Sequence, residues 1–255
     1  MGNDAFLRAV RLNREKVTSF KDYPFSIPAI SHLERLEFAP GLTVIIGENG
    51  VGKSTLIEAI AVKWGFNPEG GTKNYRFSTD DTHSELKDYI VLEKSVRRPT
   101  DGFFLRAESF YTFASEVDRL EQENPGHLSW YGGKSFHQQS HGEAFLALLK
   151  NRLRGHGLYI FDEPEAALSP KRQLSVLVLI HQLLEQKSQC IIATHSPIIM
   201  GYPGALIYEI NGEGISKVEY EETDHYRVTR NFLNGRERML GYLFSDEPDE
   251  SPEPG

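Results

Sequence analysis

Apolar residues along this chain fall into short runs separated by stretches of helical spacing. Leu42–Ile46, Leu158–Phe161 and Cys190–Ala193 are mainly apolar and rich in branched or aromatic residues. Such runs mark buried strands. Ser54–Trp64 places Leu56, Ile57, Ile60 and Ala61 on a helical period, and Glu143–Leu153 is amphipathic. Pro170–Leu184 reads as a long helix opened by proline, where a missing N–H costs nothing. Ser109–Glu121, stopped by Asn124-Pro125-Gly126, and Tyr226–Leu243 also read as helices. Weaker alternation predicts strands at Phe6–Leu12 and His32–Phe38, with Tyr23, Pro24 and Pro28 breaking the chain between them. Tyr89–Val96 and Phe103–Leu105 are predicted strands on either side of a turn at 98–102. Ala205–Ile210 and Ile215–Tyr220 form a hairpin through Asn211-Gly212-Glu213-Gly214. Asn67–Asp81 is rich in Gly and polar residues and reads as a loop.

Strands alternating with helices predict an α/β fold with a mostly parallel sheet flanked by helices. The two opening strands and the late hairpin predict an added antiparallel β part. Residues 1–245 read as one domain, with a small helical insertion at about 109–152. Residues 246–255, acidic and Pro-rich, read as a disordered tail.

Composition narrows the picture. With 39% hydrophobic residues in 255, the chain can fill a core. One cysteine, Cys190, excludes an intramolecular disulfide or a zinc cluster, and its strand position predicts an inert core residue. No apolar run approaches the roughly 18 residues of a membrane span, and the first ten residues lack the pattern of a secretory leader. A cytoplasmic location without membrane insertion is therefore expected. The net charge of -8 argues at first against a nucleic-acid coat. Nine acids account for it: Asp246, Glu247, Asp249, Glu250 and Glu253 at the end, and Glu219, Glu221, Glu222 and Asp224 before the last helix. The rest is near neutral, so a nucleic-acid partner is undecided. Tyr75, Phe77, Tyr111, Phe113, Trp130 and Tyr131 lie among polar residues, some near Lys73, Arg76, Arg106 and Lys134. Such aromatics stack bases or, more often, cover a sheet or helix.

Three segments carry chemistry. Gly47-Glu48-Asn49-Gly50-Val51-Gly52-Lys53-Ser54 fits G-x-x-x-x-G-K-[ST] between a buried strand and a helix. There the backbone N–H groups curl around phosphates at a helix N-terminus. Lys53 reaches the β- and γ-phosphates, Ser54 ligates Mg²⁺, and Thr55 adds a hydroxyl near the α-phosphate. Asp162 and Glu163 end the strand Leu158–Phe161, at the edge where ligands gather in α/β sheets. Asp162 is placed for the Mg²⁺ shell, and Glu163 for the general base that polarises water. His195 ends the third buried run, 33 residues after Asp162, where an imidazole can reach a γ-phosphate oxygen.

In this order the motifs resemble an ATP-binding-cassette (ABC) ATPase, a P-loop NTPase. The resemblance implies a signature segment about 20 residues before the Asp-Glu pair. Gln139-Ser140-His141-Gly142-Glu143 is similar to the family's Leu-Ser-Gly-Gly-Gln, keeping Ser140 and Gly142 and departing at Gln139, His141 and Glu143. The family uses this segment to contact the γ-phosphate bound by a partner subunit, which implies an ATP-dependent head-to-tail homodimer. Ser140 also suits a helix N-cap. Ala166-Ala167-Leu168-Ser169 matches the family's D-loop without its Asp, and Glu108 stands nearest to the family's Q-loop glutamine as a candidate Mg²⁺ contact. The P-loop flavour resembles the RecF and structural-maintenance-of-chromosomes branch. The Asp162–Glu165 and Thr194–Pro197 segments look like stand-alone AAA-family ATPases and overcoming-lysogenization-defect nucleases. Neither a coiled-coil arm nor a nuclease domain fits the remaining lengths. The expected activity is MgATP hydrolysis driving a conformational cycle in a DNA-related or defence process. An ABC transporter's ATP-binding subunit and a nucleotide-gated binding module with negligible turnover stay open as alternatives.

Overall fold

The three mainly apolar runs become adjacent strands at the centre of one sheet. The computed structural model describes residues 4–72, 85–166 and 168–245. Along the chain lie β1 (Leu7–Leu12), α1 (Pro28–Ser31), β2 (Arg35–Glu37), β3 (Leu42–Gly47), α2 (Lys53–Trp64), β4 (Ile90–Lys94) and β5 (Asp101–Arg106). Then follow α3 (Phe110–Glu123), α4 (His141–Arg152), β6 (Gly157–Asp162), α5 (Pro170–Glu185), β7 (Gln189–Ala193), α6 (Pro197–Met200), β8 (Leu206–Asn211), β9 (Gly214–Val218) and α7 (Asp224–Leu243).

Six strands form the main sheet in the order β5-β6-β7-β3-β8-β9. The first five are parallel, and β9 turns back antiparallel on β8 through the predicted hairpin. A second sheet, β2-β1-β4, is antiparallel throughout. The antiparallel part thus has two homes: an edge strand on the main sheet and a separate three-stranded sheet. The turn at 98–102 joins the two sheets rather than closing a hairpin, because β4 pairs with β1 and β5 with β6. Pro28 opens a one-turn helix instead of only breaking the chain, since its fixed φ suits a first helical position.

Side chains alternate across a strand, and the core divides accordingly. Ile45, Ile160, Ile191 and Ile210 face α2 and the small sheet, together with Val10 and Leu36. Val44, Ile46, Phe161 and Ile192 face the other way, toward Phe110 and Phe113 of α3, Phe145 of α4 and Val176 of α5. The helical insertion packs into that second layer. The P-loop helix α2 is buried nearly all round, with Leu56, Ile57, Ala59, Ile60, Ala61 and Trp64 covered, as a helix sandwiched between two sheets must be. Cys190 is fully buried, and burial pushes its thiol up to about 12, as an inert core residue requires. Among the described residues, no helix is long and apolar enough to cross a membrane.

Gln189 joins the two sheets. Its buried amide accepts from Leu7 N–H (2.9 Å) and donates to the carbonyls of Leu7 and Ala39 (both 2.8 Å). Replacing it with Leu strands these backbone groups away from water, at a cost of about 1–3 kcal/mol each. Gln189→Leu is expected to lower Tm by roughly 5–10 °C in a calorimetric scan. An unchanged Tm contradicts this role.

Candidate nucleotide site

Strand register brings the motifs to one edge. Arg106 stands opposite Asp162, and Asp162 opposite Ala193. β3 lies next to β7, so the P-loop that leaves it opens beside both strand ends.

The loop's shape depends on glycine at two positions. Gly47 (φ 147°) and Gly52 (φ 97°) lie where side chains are strained. A Cβ at Gly47 collides with the carbonyl oxygen of Ile210, and one at Gly52 falls 2.6 Å from Ile27 Cγ2. Lys53 begins α2 and is buried. Its ammonium donates to the carbonyls of Gly47 (2.9 Å) and Glu48 (2.8 Å). Burial lowers its pKa, while the charges of Glu163, Asp162 and Glu165 oppose that shift. Asn49, Gly50, Gly52, Lys53, Ser54, Thr55 and Glu163 line a cavity of about 380 Å³ together with Tyr23 and Ile27. Glu48 and Val51 line the neighbouring cavity with Gly47.

Ser54 Oγ donates to Asp162 Oδ1 at 3.0 Å, so the two predicted Mg²⁺ ligands are already in contact. Burial raises Asp162 to about 6, opposed by the Arg106 charge and the Ser54 hydrogen bond. Glu163 holds a left-handed backbone (φ 50°), a conformation costing a non-glycine residue roughly 1–2 kcal/mol. Its N–H continues the sheet by donating to Ala193 O (2.9 Å). His195 Nε2 lies 3.7 Å from Glu163 Oε1, beyond hydrogen-bond reach, and is buried without a partner among the described residues. Burial and the nearby Lys53 lower the His195 pKa, favouring the neutral ring.

Three residues here escaped the sequence reading. Glu165 is half-buried, and its Oε1 accepts from the His195 N–H (2.6 Å), anchoring the β7 strand end to the acidic segment. Tyr23, 71% exposed, lines the candidate cavity. Arg106 is the third, and it pairs with the expected Glu108. Its Nη1 binds Glu58 (2.8 Å), its Nη2 binds Glu108 (3.0 Å), and its Nε lies 3.7 Å from Asp162 Oδ2. The Glu108 side chain is 84% exposed and tied to that guanidinium. A cation at this strand end therefore also approaches Asp162, while the charge of the predicted acid still acts to raise Asp162. A short Phe-Phe-Leu strand before Arg106 is the only sequence sign of this, and it does not say which way the guanidinium turns.

Ser140 and Gly142 are not brought into this cavity, which no residue of α4 lines. Ser140 caps α4. Its Oγ donates to Glu143 Oε2 (2.6 Å), which also accepts from the Ser140 N–H (3.1 Å). The signature-position Glu143 thus closes a capping box. Arg172, on the first turn of α5, lies 3.4 Å from Glu143 and 3.5 Å from Ser140 Oγ. Of the D-loop segment, Ala167 lies outside the described residues, as do Lys73, Tyr75, Arg76, Phe77 and the tail 246–255. Phe113 and Tyr131 are core residues, while Tyr111 and Trp130 stay half exposed, Trp130 under the Arg154 guanidinium at 4.6 Å. The predicted aromatic cluster therefore divides between the core and the surface.

The donors fit a magnesium nucleotide. Mg²⁺ is commonly held by one or two protein oxygens with phosphates and water completing the shell, which matches the Ser54–Asp162 pair. Among the described residues no cluster of three His, Cys, Asp or Glu is built to hold a metal alone. His195 Nε2 lies 3.7 Å from Glu163, which lines the same cavity.

Comparison with known proteins shows what the chain is similar to. Residues 19–124 match an AAA domain model, and residues 143–201 match a second, described as "AAA domain, putative AbiEii toxin, Type IV TA system". Two uncharacterized ABC transporter ATP-binding proteins of Methanocaldococcus jannaschii are similar. One is 24% identical over 82% of this chain and 37% of its own length. The other is 27% identical over 59% and 56%. The chain thus spans between about a third and just over half of these relatives. Among solved structures, cbiO1 from Clostridium perfringens, part of the ABC transporter complex cbiONQ, superposes with a TM-score of 0.50. It is 18% identical, covering 94% of this chain and 98% of that one, and so shares the fold. With its P-loop, its parallel sheet and AAA-domain matches over two parts of the chain, the protein is similar to the ABC-type P-loop ATPases.

Proposed function

We propose that this chain binds MgATP at Gly47–Thr55 and hydrolyses it to ADP and phosphate between two head-to-tail subunits. The observation that carries the reading is the Ser54–Asp162 contact, with Lys53 in the P-loop and Glu163 beside an unpartnered His195 Nε2.

The residues divide the work by their chemistry. P-loop N–H groups and the start of α2 receive the phosphates. Lys53 exchanges the carbonyls of Gly47 and Glu48 for phosphate oxygens, which its lowered pKa makes favourable because it recovers a full counter-charge. Tyr23 offers an exposed aromatic face to the base end of the cavity. Ser54 and Asp162 would hold Mg²⁺, which would supply charge neutralisation for the phosphates. Glu163 takes a proton from water as its oxygen bonds to the γ-phosphorus and the bond to the β-bridging oxygen breaks. The His195 Nε2–H donates to a γ-oxygen. Ser140 and the Gly142 N–H serve the nucleotide of the partner subunit, since they lie outside the chain's own cavity. The cycle drives opening and closing of the dimer, in a DNA-related or defence process.

Phosphate release from ATP tests the reading. Release is expected with Mg²⁺ and is lost with EDTA, and ATP shifts the chain toward a dimer in sedimentation. Release that persists in EDTA overturns the metal assignment. A second reading, the ATP-binding subunit of a transporter, is favoured by the names of the curated relatives. Co-purification with a polytopic membrane protein supports it over the first.

A further inference from the structure

His225 is the one residue of α7 whose ring meets the strand-end histidine. Its Nε2 lies 3.3 Å from His195 Nδ1, with ring centroids 5.5 Å apart. The approach is built into the fold. Buried Thr223 caps α7, accepting from Tyr226 N–H (3.3 Å) and donating to Tyr220 O (2.8 Å). The Tyr220 hydroxyl donates to Pro197 O (2.8 Å), two residues beyond His195. The clamp therefore holds the first turn of α7 against the segment that carries His195.

Two imidazoles joined N to N share one proton, so one ring donates and the other accepts. Both pKa values are lowered. Burial is the main cause in each, with Lys53 adding at His195, and with His195 and Lys53 adding at His225 against Glu209 and Asp224. Two neutral rings satisfy the pair, and two imidazolium rings do not. The other nitrogens fix the direction. His195 Nε2 faces the carboxylate of Glu163 at 3.7 Å, an acceptor, so a proton belongs on Nε2. His195 Nδ1 is then the acceptor, and His225 Nε2–H the donor. His225 Nδ1 is buried with no partner among the described residues. In this arrangement it is a bare lone pair. The reverse arrangement strands an N–H donor there, which buried structure rarely tolerates.

We propose that His225 is a positioning residue: its Nε2–H donates to His195 Nδ1 and so holds His195 in the Nε2–H tautomer, with that proton directed at the γ-phosphate. The assignment of the γ-phosphate rests on the function proposed above. The tautomer does not, and the two are tested separately.

The full chain, labelled with ¹⁵N at histidine, gives a tractable imidazole spectrum because it has nine histidines. His195→Gln and His225→Gln assign the two rings. In the nucleotide-free protein, His195 is expected as a single Nε2–H tautomer. In His225→Ala it becomes a mixture, and in His225→Gln, whose amide N–H can donate to Nδ1, it returns. In turnover, His225→Ala lowers kcat about tenfold, the low end of the losses that follow removal of the partner orienting a metal-bound histidine. KM for ATP changes less than about twofold, and His225→Gln recovers most of the rate. The proposal is overturned if the His195 tautomer is the same in His225→Ala, or if Gln is no better than Ala in both readouts. If the wild type releases no phosphate, the ATPase reading fails, and the imidazole spectrum still decides the role of His225.

Discussion

Glu163→Gln is expected to lower kcat by about 10²–10⁴-fold while leaving MgATP affinity nearly unchanged. The amide has the same shape and cannot accept the proton of the attacking water. It also keeps the left-handed backbone at this position (φ 50°) and the N–H to Ala193 O, so the strand end stays in place. The carboxylate lies 3.7 Å from His195 and contributes to the field around Lys53. Removing its charge leaves Asp162 and Glu165 to balance Lys53, and ATP binding survives. Bound but unhydrolysed nucleotide should accumulate, and with it the closed dimer. Quenched-flow phosphate release and sedimentation with ATP measure the two effects. Wild-type turnover in this variant assigns the base to another residue.

Lys53→Ala acts one step earlier. The buried ammonium is the cation inside the P-loop, and its hydrogen-bond partners among the described residues are the carbonyls of Gly47 and Glu48. Losing one side of a buried charge contact costs about 3 kcal/mol or more, or a weakening of ATP binding beyond ~100-fold. The fold should persist, because α2 is held by Leu56, Ile57, Ile60 and Trp64 in the core. Titration calorimetry with MgATP reads the affinity, and a thermal scan reads the fold. Retained micromolar binding contradicts the placement of phosphates along this loop.

The legible part of the site was contiguous. Gly47–Ser54, Asp162-Glu163 and His195 each follow a run of apolar residues, so the same pattern that predicts a buried strand also places the polar residue at its end. Parallel pairing then follows from the alternation of strands and helices, and it brings those ends to one edge. What the sequence hid depends on contacts between distant segments. Arg106 meets Asp162 only because β5 pairs in register with β6. Glu165 reaches the His195 N–H across 30 residues of chain, and Gln189 clasps Leu7 across 182. His225 lies in an acidic, polar segment whose charges read as a solvated surface. It enters the site because the Tyr220–Pro197 contact turns α7 back over the strand end. Glu108 stands at the expected strand end, and the sequence did not show that the neighbouring Arg106 pairs with it.

The central claim is that the Lys53–Ser54–Asp162–Glu163 constellation turns over ATP. The most direct test is steady-state phosphate release from MgATP by the wild type and by Lys53→Ala, purified side by side. Release by the wild type that falls to background in Lys53→Ala is the predicted result. Equal release by the two proteins, or none by the wild type at saturating MgATP, contradicts it.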